Sequence, residues 1–172
     1  MGKIFDILEN VHQKHVIHRD VKPENIMIKN GDLHLIDFGL ATFTVDAHGH
    51  HRSAEDDCEH LVGTPLYVSY PIHCGKHPGR RDDLISLGYV FLSFVMEELP
   101  WKIHDPSSIT EDTNLFSDVN LLRKQFKSIE YLDRFCPTCV DYFRMCYTLS
   151  SHQTPDYGAL KKSLCNIYAE DP

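Results

Sequence analysis

Asp20, Lys22, Asn25 and Asp37 are the residues on which this sequence could hang a reaction. They supply two carboxylates, an amide oxygen and a compact cation, all within the stretch HRDVKPENIMIKNGDLHLIDFG from His18 to Gly39. Between them lie two short β-type runs, Ile26-Met27-Ile28 and Leu33-His34-Leu35-Ile36, joined by Lys29-Asn30-Gly31-Asp32. An Asn-Gly pair flanked by apolar runs predicts a tight hairpin. Folding it would return Asp37 to the side of Asn25, with Asp20 just upstream. Oxygen donors grouped in this way suit Mg²⁺, a hard ion that completes its shell with water and substrate phosphates.

The order HRDVKPEN then DFG, with four residues between Asp20 and Asn25, resembles the catalytic loop and metal-binding motif of eukaryotic protein kinases. The resemblance implies ATP-dependent phosphoryl transfer to Ser or Thr of a protein substrate. That reaction needs positioning and neutralisation of charge more than covalent assistance. Asp20 would orient the attacking hydroxyl and accept its proton. Lys22 would lie against the γ-phosphate as a point charge. Asn25 and Asp37 would hold Mg²⁺ bridging the ATP phosphates. Met27 resembles the residue that floors the adenine pocket, and Ile36 the one before the metal-binding Asp. His18 and Phe38 resemble members of an internal apolar stack. Gly63-Thr64-Pro65-Leu66-Tyr67 resembles the run that closes the activation segment of Ser/Thr kinases, in which Thr64 would touch Asp20 and Lys22.

A narrower likeness follows the Thr. Ser69-Tyr70-Pro71 stands in place of Ala-Pro-Glu, followed by Arg80-Arg81-Asp82-Asp83-Leu84, Ser86-Leu87-Gly88-Tyr89, Leu99-Pro100-Trp101 and Thr154-Pro155-Asp156-Tyr157. These resemble the casein kinase 1 and vaccinia-related kinase group, and Arg19 in the HRD motif favours the casein kinase side. Leu66 stands where casein kinase 1 enzymes carry a phosphate-binding Arg. Leucine has no donor for a phosphate, which leaves Lys102 and the Arg80-Arg81 pair as anion contacts. Asp83 resembles the carboxylate that holds the backbone around the HRD motif.

The elements that must position these groups are mostly helical. Apolar residues recur at helical spacing over 3–14 (Ile4, Ile7, Leu8, Val11), 118–129, 137–149 and 156–168. Pro137 and Pro155 fall where first helical turns would start. Asp83–Met96 is apolar around its whole circumference, predicting a helix buried through the middle of a lobe and ended by Pro100, with Trp101 as an apolar cap. Residues 40–63 are polar and read as an exposed loop, in which Thr42 and Ser53 are hydroxyls open to phosphorylation. The expected fold is α+β, mostly α: the C-terminal lobe of a kinase over residues 1–172, with small β-hairpins at the catalytic loop. No G-x-G-x-x-G loop or strand lysine precedes His18, so the N-terminal lobe is expected to be absent from this chain. A catalytically inactive lobe or a binding module is the alternative, associating through the face that lobe would cover.

Composition bounds the partners. A formal net charge of −8 disfavours nucleic acid and anionic membranes as non-specific partners. No apolar run reaches bilayer length and no signal-peptide core precedes His18, so an intracellular location, cytoplasmic or nuclear, is expected. Of six cysteines only Cys136 and Cys139 form a CxxC, without the second ligand pair a structural zinc site needs. The piece His48-Gly49-His50-His51, with Cys58 and His60, lacks regular ligand spacing and reads as polar loop.

Overall fold

The Asn30-Gly31 turn forms as its residue types require. Both residues take positive φ, +53° and +82°, which only Gly and a few polar residues adopt at low cost. Strand β2 (Ile26–Lys29) therefore folds directly back on β3 (Asp32–Leu35), pairing Ile26 with Leu35 and Lys29 with Asp32. The computed structural model describes residues 2–46, 48–50, 62–99, 101–102 and 137–165. The helix expected over 118–129, residue Ser53 and the end of the helix expected over 156–168 lie outside these residues.

Helix α1 (Gly2–Gln13) buries Ile4, Phe5, Leu8 and His12 and leads into β1 (Val16–Ile17). A 3-10 turn at Pro23–Asn25 delivers the chain to the hairpin. Beyond the hairpin, Thr42–Phe43 forms β4, antiparallel to β1 with Ile17 opposite Thr42. This corrects the reading of 40–63 as loop throughout. A two-residue strand paired across 25 positions carries no periodicity that a sequence can display.

A short helix α2 (Tyr70–His73) was also not expected. Ser69 caps it, its hydroxyl accepting from Ile72 N, and Pro71 sits in the first turn, where its missing N–H costs nothing.

Helix α3 (Arg80–Val95) runs through the centre, with Leu84, Ile85, Leu87, Tyr89, Val90, Phe91 and Leu92 buried. Each such side chain contributes about 1.5–3 kcal/mol on leaving water. The expectation of burial along its whole length is corrected in the last turn, where Phe94 is 65% and Val95 45% exposed. The helix also ends at Val95, before Pro100, and Trp101 does more than cap it. Trp101 packs edge-on against Tyr89, its ring 4.7 Å away, and donates from Nε1 to Leu66 O at 2.8 Å. Helix α4 (Pro137–Thr148) crosses α3 closely enough that a Cβ on Gly88 would lie 2.6 Å from Phe143 Cζ. Tyr142 donates to Leu84 O across the same seam. Helix α5 (Tyr157–Cys165) is capped by Asp156, which accepts from Ala159 N, so Pro155 precedes the first turn rather than occupying it.

Asp82 gives the fold a proton-dependent term. Its carboxylate is buried, accepting from Ser69 Oγ at 2.5 Å and Gly79 N at 2.7 Å, with Arg81 Nε 3.8 Å away. Burial pushes its pKa up to about 6, and the Arg81 charge and the two hydrogen bonds offset only part of that. The unfolded chain releases this proton near 3.8 and the folded chain near 6. Between those values the folded state holds the extra proton, so Asp82's contribution to stability falls as pH rises through the window and stays low above it. Asp82→Asn is therefore expected to gain in urea midpoint relative to wild type from about pH 4 to pH 6, then to hold that difference. A gap between the two proteins that is constant from pH 4 to 7 would refute this.

Candidate active site

The loop from His18 to Asn25, expected to be the catalytic loop, is held from below by one carboxylate. Asp83, on α3 and almost wholly buried, accepts from His18 N at 2.7 Å and Arg19 N at 2.9 Å. The same Oδ2 faces His12 Nε2 at 2.9 Å, and His12 Nδ1 meets Tyr157 OH at 2.7 Å. A carboxylate can only accept, so His12 donates from Nε2, and in the neutral ring Nδ1 accepts from the tyrosine hydroxyl. The restraint is needed because Arg19 sits at φ +68°, a region costly for a residue with a Cβ. Arg19 also donates from Nε to Leu40 O, tying the loop to the chain beyond the hairpin.

Above that restraint, Asp20, Lys22, Asn25 and Thr64 converge. Asp20 Oδ1 accepts from Thr64 N at 3.0 Å and Thr64 Oγ1 at 2.6 Å. Its Oδ2 accepts from Lys22 Nζ at 2.7 Å and Asn25 Nδ2 at 3.1 Å. Lys22 Nζ also donates to Thr64 Oγ1 at 3.0 Å, closing a ring of three side chains. Burial pushes the Asp20 carboxyl up, but the Lys22 and Thr64 hydrogen bonds prevail and hold it below the ordinary carboxylate value. Lys22 is raised, chiefly by its bond to Asp20. The pair is thus an ionised carboxylate beside an ammonium at neutral pH.

Gly63 makes the approach of Thr64 feasible. It takes φ +114°, and a Cβ there would lie 2.6 Å from Arg19 O and 2.9 Å from Val68 Cγ2. Any side chain would push the segment off the catalytic loop.

Asn25 and Asp37 are brought together by the hairpin, since Ile36 N donates to Asn25 O at 2.9 Å. Asn25 is buried and spends Nδ2 on Asp20 O and Oδ2. Its Oδ1 is left as an oxygen donor with no hydrogen bond among the described residues. Asp37, at φ +63°, is exposed and accepts from Gly39 N at 3.2 Å. A Cβ on Gly39 would sit 3.1 Å from Asp37 Oδ1, so glycine keeps the space around that carboxylate open. A carboxylate and an amide oxygen on adjoining strand ends fit the hard-ligand preference of Mg²⁺.

His18 is buried with Phe38 4.7 Å away edge-on, and its Nε2 lies 3.0 Å from Ile36 O. Met27 and Ile36 stand on an open face, 49% and 37% exposed.

Arg81 donates to Leu149 O and Arg80 to His152 O, so both side chains turn towards the chain after α4. Lys102 is ion-paired with Glu98 at 2.9 Å. The sequence could not reveal this, because charge does not state which way a long side chain turns. Cys139 is buried in the first turn of α4, whereas Cys136 lies outside the described residues. Of the His-rich piece, His48 and His50 are described, and their backbone N–H groups are bound by Asp46.

Two links of the restraint, His12 and Tyr157, were missed. A histidine on a helix face reads as ordinary core, and its partner is 145 residues away.

A family model for the protein kinase domain matches residues 1–160. The chain belongs to the protein kinase domain family. Its two small antiparallel sheets and five α-helices among the described residues accord with part of that fold. None of those helices is long and apolar enough to cross a membrane.

Proposed function

We propose that this chain provides the C-terminal lobe of a serine/threonine protein kinase of the casein kinase 1 type, transferring the γ-phosphate of ATP to protein hydroxyls inside the cell. The observation that carries this is the ring of Asp20, Lys22 and Thr64 with Asn25 against it. Asp20 orients the acceptor hydroxyl and takes up its proton, while Lys22 stabilises charge on the transferring phosphoryl group. Asn25 and Asp37 would hold Mg²⁺, which neutralises the phosphate oxygens when bound. Thr64 fixes both Asp20 and Lys22 and ties them to the segment a protein substrate would meet. The test is Mg²⁺-dependent transfer of labelled phosphate from ATP to Ser or Thr of casein, by these residues joined to a kinase N-terminal lobe. Absence of transfer under those conditions would refute the reading.

A second reading, a lobe that acts by association, is favoured by the exposed apolar side chains of the hairpin, the turn after it and β4. Met27, Ile28, Ile36, Phe38, Leu40 and Phe43 are between 37% and 75% exposed. Large apolar side chains left open in this number over 17 positions are a basis for association. Residues 1–172 alone are expected to self-associate through it and to bind ATP·Mg weakly, since only one side of the nucleotide would be contacted. Sedimentation should show the double variant Ile28→Lys, Phe43→Lys shifted towards monomer. An unchanged distribution, or micromolar ATP·Mg binding with turnover by residues 1–172, would overturn this.

A further inference from the structure

The run Thr64-Pro65-Leu66 is tied at its two ends to different parts of the molecule. Thr64 is bonded to Asp20 and Lys22. Two residues on, Leu66 O accepts from Trp101 Nε1 at 2.8 Å. Between these ties the chain turns back on itself, Tyr67 N and Val68 N both donating to Thr64 O at 2.9 Å. Thr64, Pro65 and Leu66 stay partly exposed, while Tyr67, Val68 and Ser69 are buried. Thr64 Oγ1 stands 2.6 Å from Asp20 Oδ1, so a polypeptide presenting a hydroxyl to Asp20 passes this turn.

Trp101 ties the turn to the core. Its ring is buried edge-on against Tyr89, which stacks on Phe143 of α4 at 5.3 Å. An indole has a single N–H donor. Here that donor is used 35 positions away, on the exposed side of the turn. Burying the ring against Tyr89 does not require this partner.

We propose that Trp101 is a positioning residue for the protein acceptor, its N–H fixing the turn over 64–68 against which the residues flanking the acceptor hydroxyl lie. This rests on the reading of the Asp20 cluster as a kinase site. Thr64 is held by Asp20 and Lys22 independently of Trp101. Losing the indole bond therefore releases the Leu66 end of the turn and leaves the groups around the reacting atoms in place. The effect falls on acceptor binding more than on transfer or on ATP.

Trp101→Phe keeps an aromatic ring on Tyr89 and removes the donor. In the full chain, amide exchange at Tyr67 and Val68 should quicken about three- to tenfold relative to α1, the loss expected for one hydrogen bond. In protein joined to an N-terminal lobe, KM for casein should rise by the same factor, with kcat and KM for ATP moving less. Should Trp101→Phe fail to fold, Leu66→Gly loosens the turn from its other side. It should quicken exchange of the indole N–H, the chain's only one, and raise KM for casein in the same way. Exchange that rises equally in the turn and in α1, or not at all, would overturn the positioning role. A fall in kcat at unchanged KM would overturn its assignment to acceptor binding. No transfer to casein by the wild-type joined protein would instead refute the kinase reading and with it the acceptor role, while exchange in the full chain still decides whether Trp101 fixes the turn.

Discussion

Asp20→Ala and Asp37→Ala are each expected to lower phosphoryl transfer by about 10²–10⁴-fold in protein joined to an N-terminal lobe, for different reasons. Asp20 accepts four hydrogen bonds from Thr64, Lys22 and Asn25, so its removal frees the ammonium of Lys22 and, on the proposed function, deletes the proton acceptor. Asp20→Asn separates these effects. It keeps the shape but loses the charge that holds Lys22, so its rate should fall nearly as far as that of Asp20→Ala. Among the described residues Asp37 makes no hydrogen bond to these groups and adds only a charge interaction with Lys22, so its loss should leave their hydrogen bonds intact. Its loss should instead show as a raised Mg²⁺ requirement, partly recovered at high Mg²⁺, where Asp20→Ala gains nothing. Rates measured with casein across a Mg²⁺ series test both. Near-normal rates in both alanine variants would mean that the site lies elsewhere.

The catalytic loop and hairpin were legible because their signals are local. Asn30-Gly31 dictates its own turn, and the register that follows brings Asp37 to Asn25 without help from the rest of the chain. The contact of Thr64 with Asp20 spans 44 positions and was reached only through the family resemblance. Gly63, the residue that makes this contact sterically feasible, carries no message until Arg19 O is seen beneath it. What stayed hidden was long-range and polar. The pairing of β1 with β4, the turn of Arg80 and Arg81 towards backbone carbonyls, and the link of His12 with Tyr157 all depend on tertiary placement. Hydrophobic periodicity reports which face of an element is buried, but not which donor meets which acceptor there.

The adjoining carboxylates Asp82 and Asp83 make the sharpest contrast in the molecule. Both are buried on the first turns of α3, yet their substitutions should differ widely in effect. Asp82 meets one hydroxyl and one backbone N–H, and an amide can satisfy both: its oxygen accepts from Gly79 while its NH₂ donates to Ser69. Asp83 is surrounded by donors only, from His18 N, Arg19 N and His12 Nε2. Asp83→Ala would leave two buried donors and one part-buried donor without acceptors, at about 1–3 kcal/mol each. Partial relaxation and entry of water bring the expected total to about 3–5 kcal/mol, near the range for breaking a buried polar network. For a chain of this size that lowers the melting temperature by roughly 6–20 °C. Asp83→Asn should recover little, because its NH₂ would face an N–H. The local consequence should exceed the global one: with Arg19 at φ +68° and its anchor gone, the amides of His18 and Arg19 should lose hydrogen-exchange protection before the core of α3 and α4 does. Thermal unfolding by circular dichroism with site-resolved exchange measures both quantities. An Asp83→Ala protein within about 0.5 kcal/mol of wild type, with protected His18 and Arg19 amides, would mean that the catalytic loop is held by something other than this carboxylate.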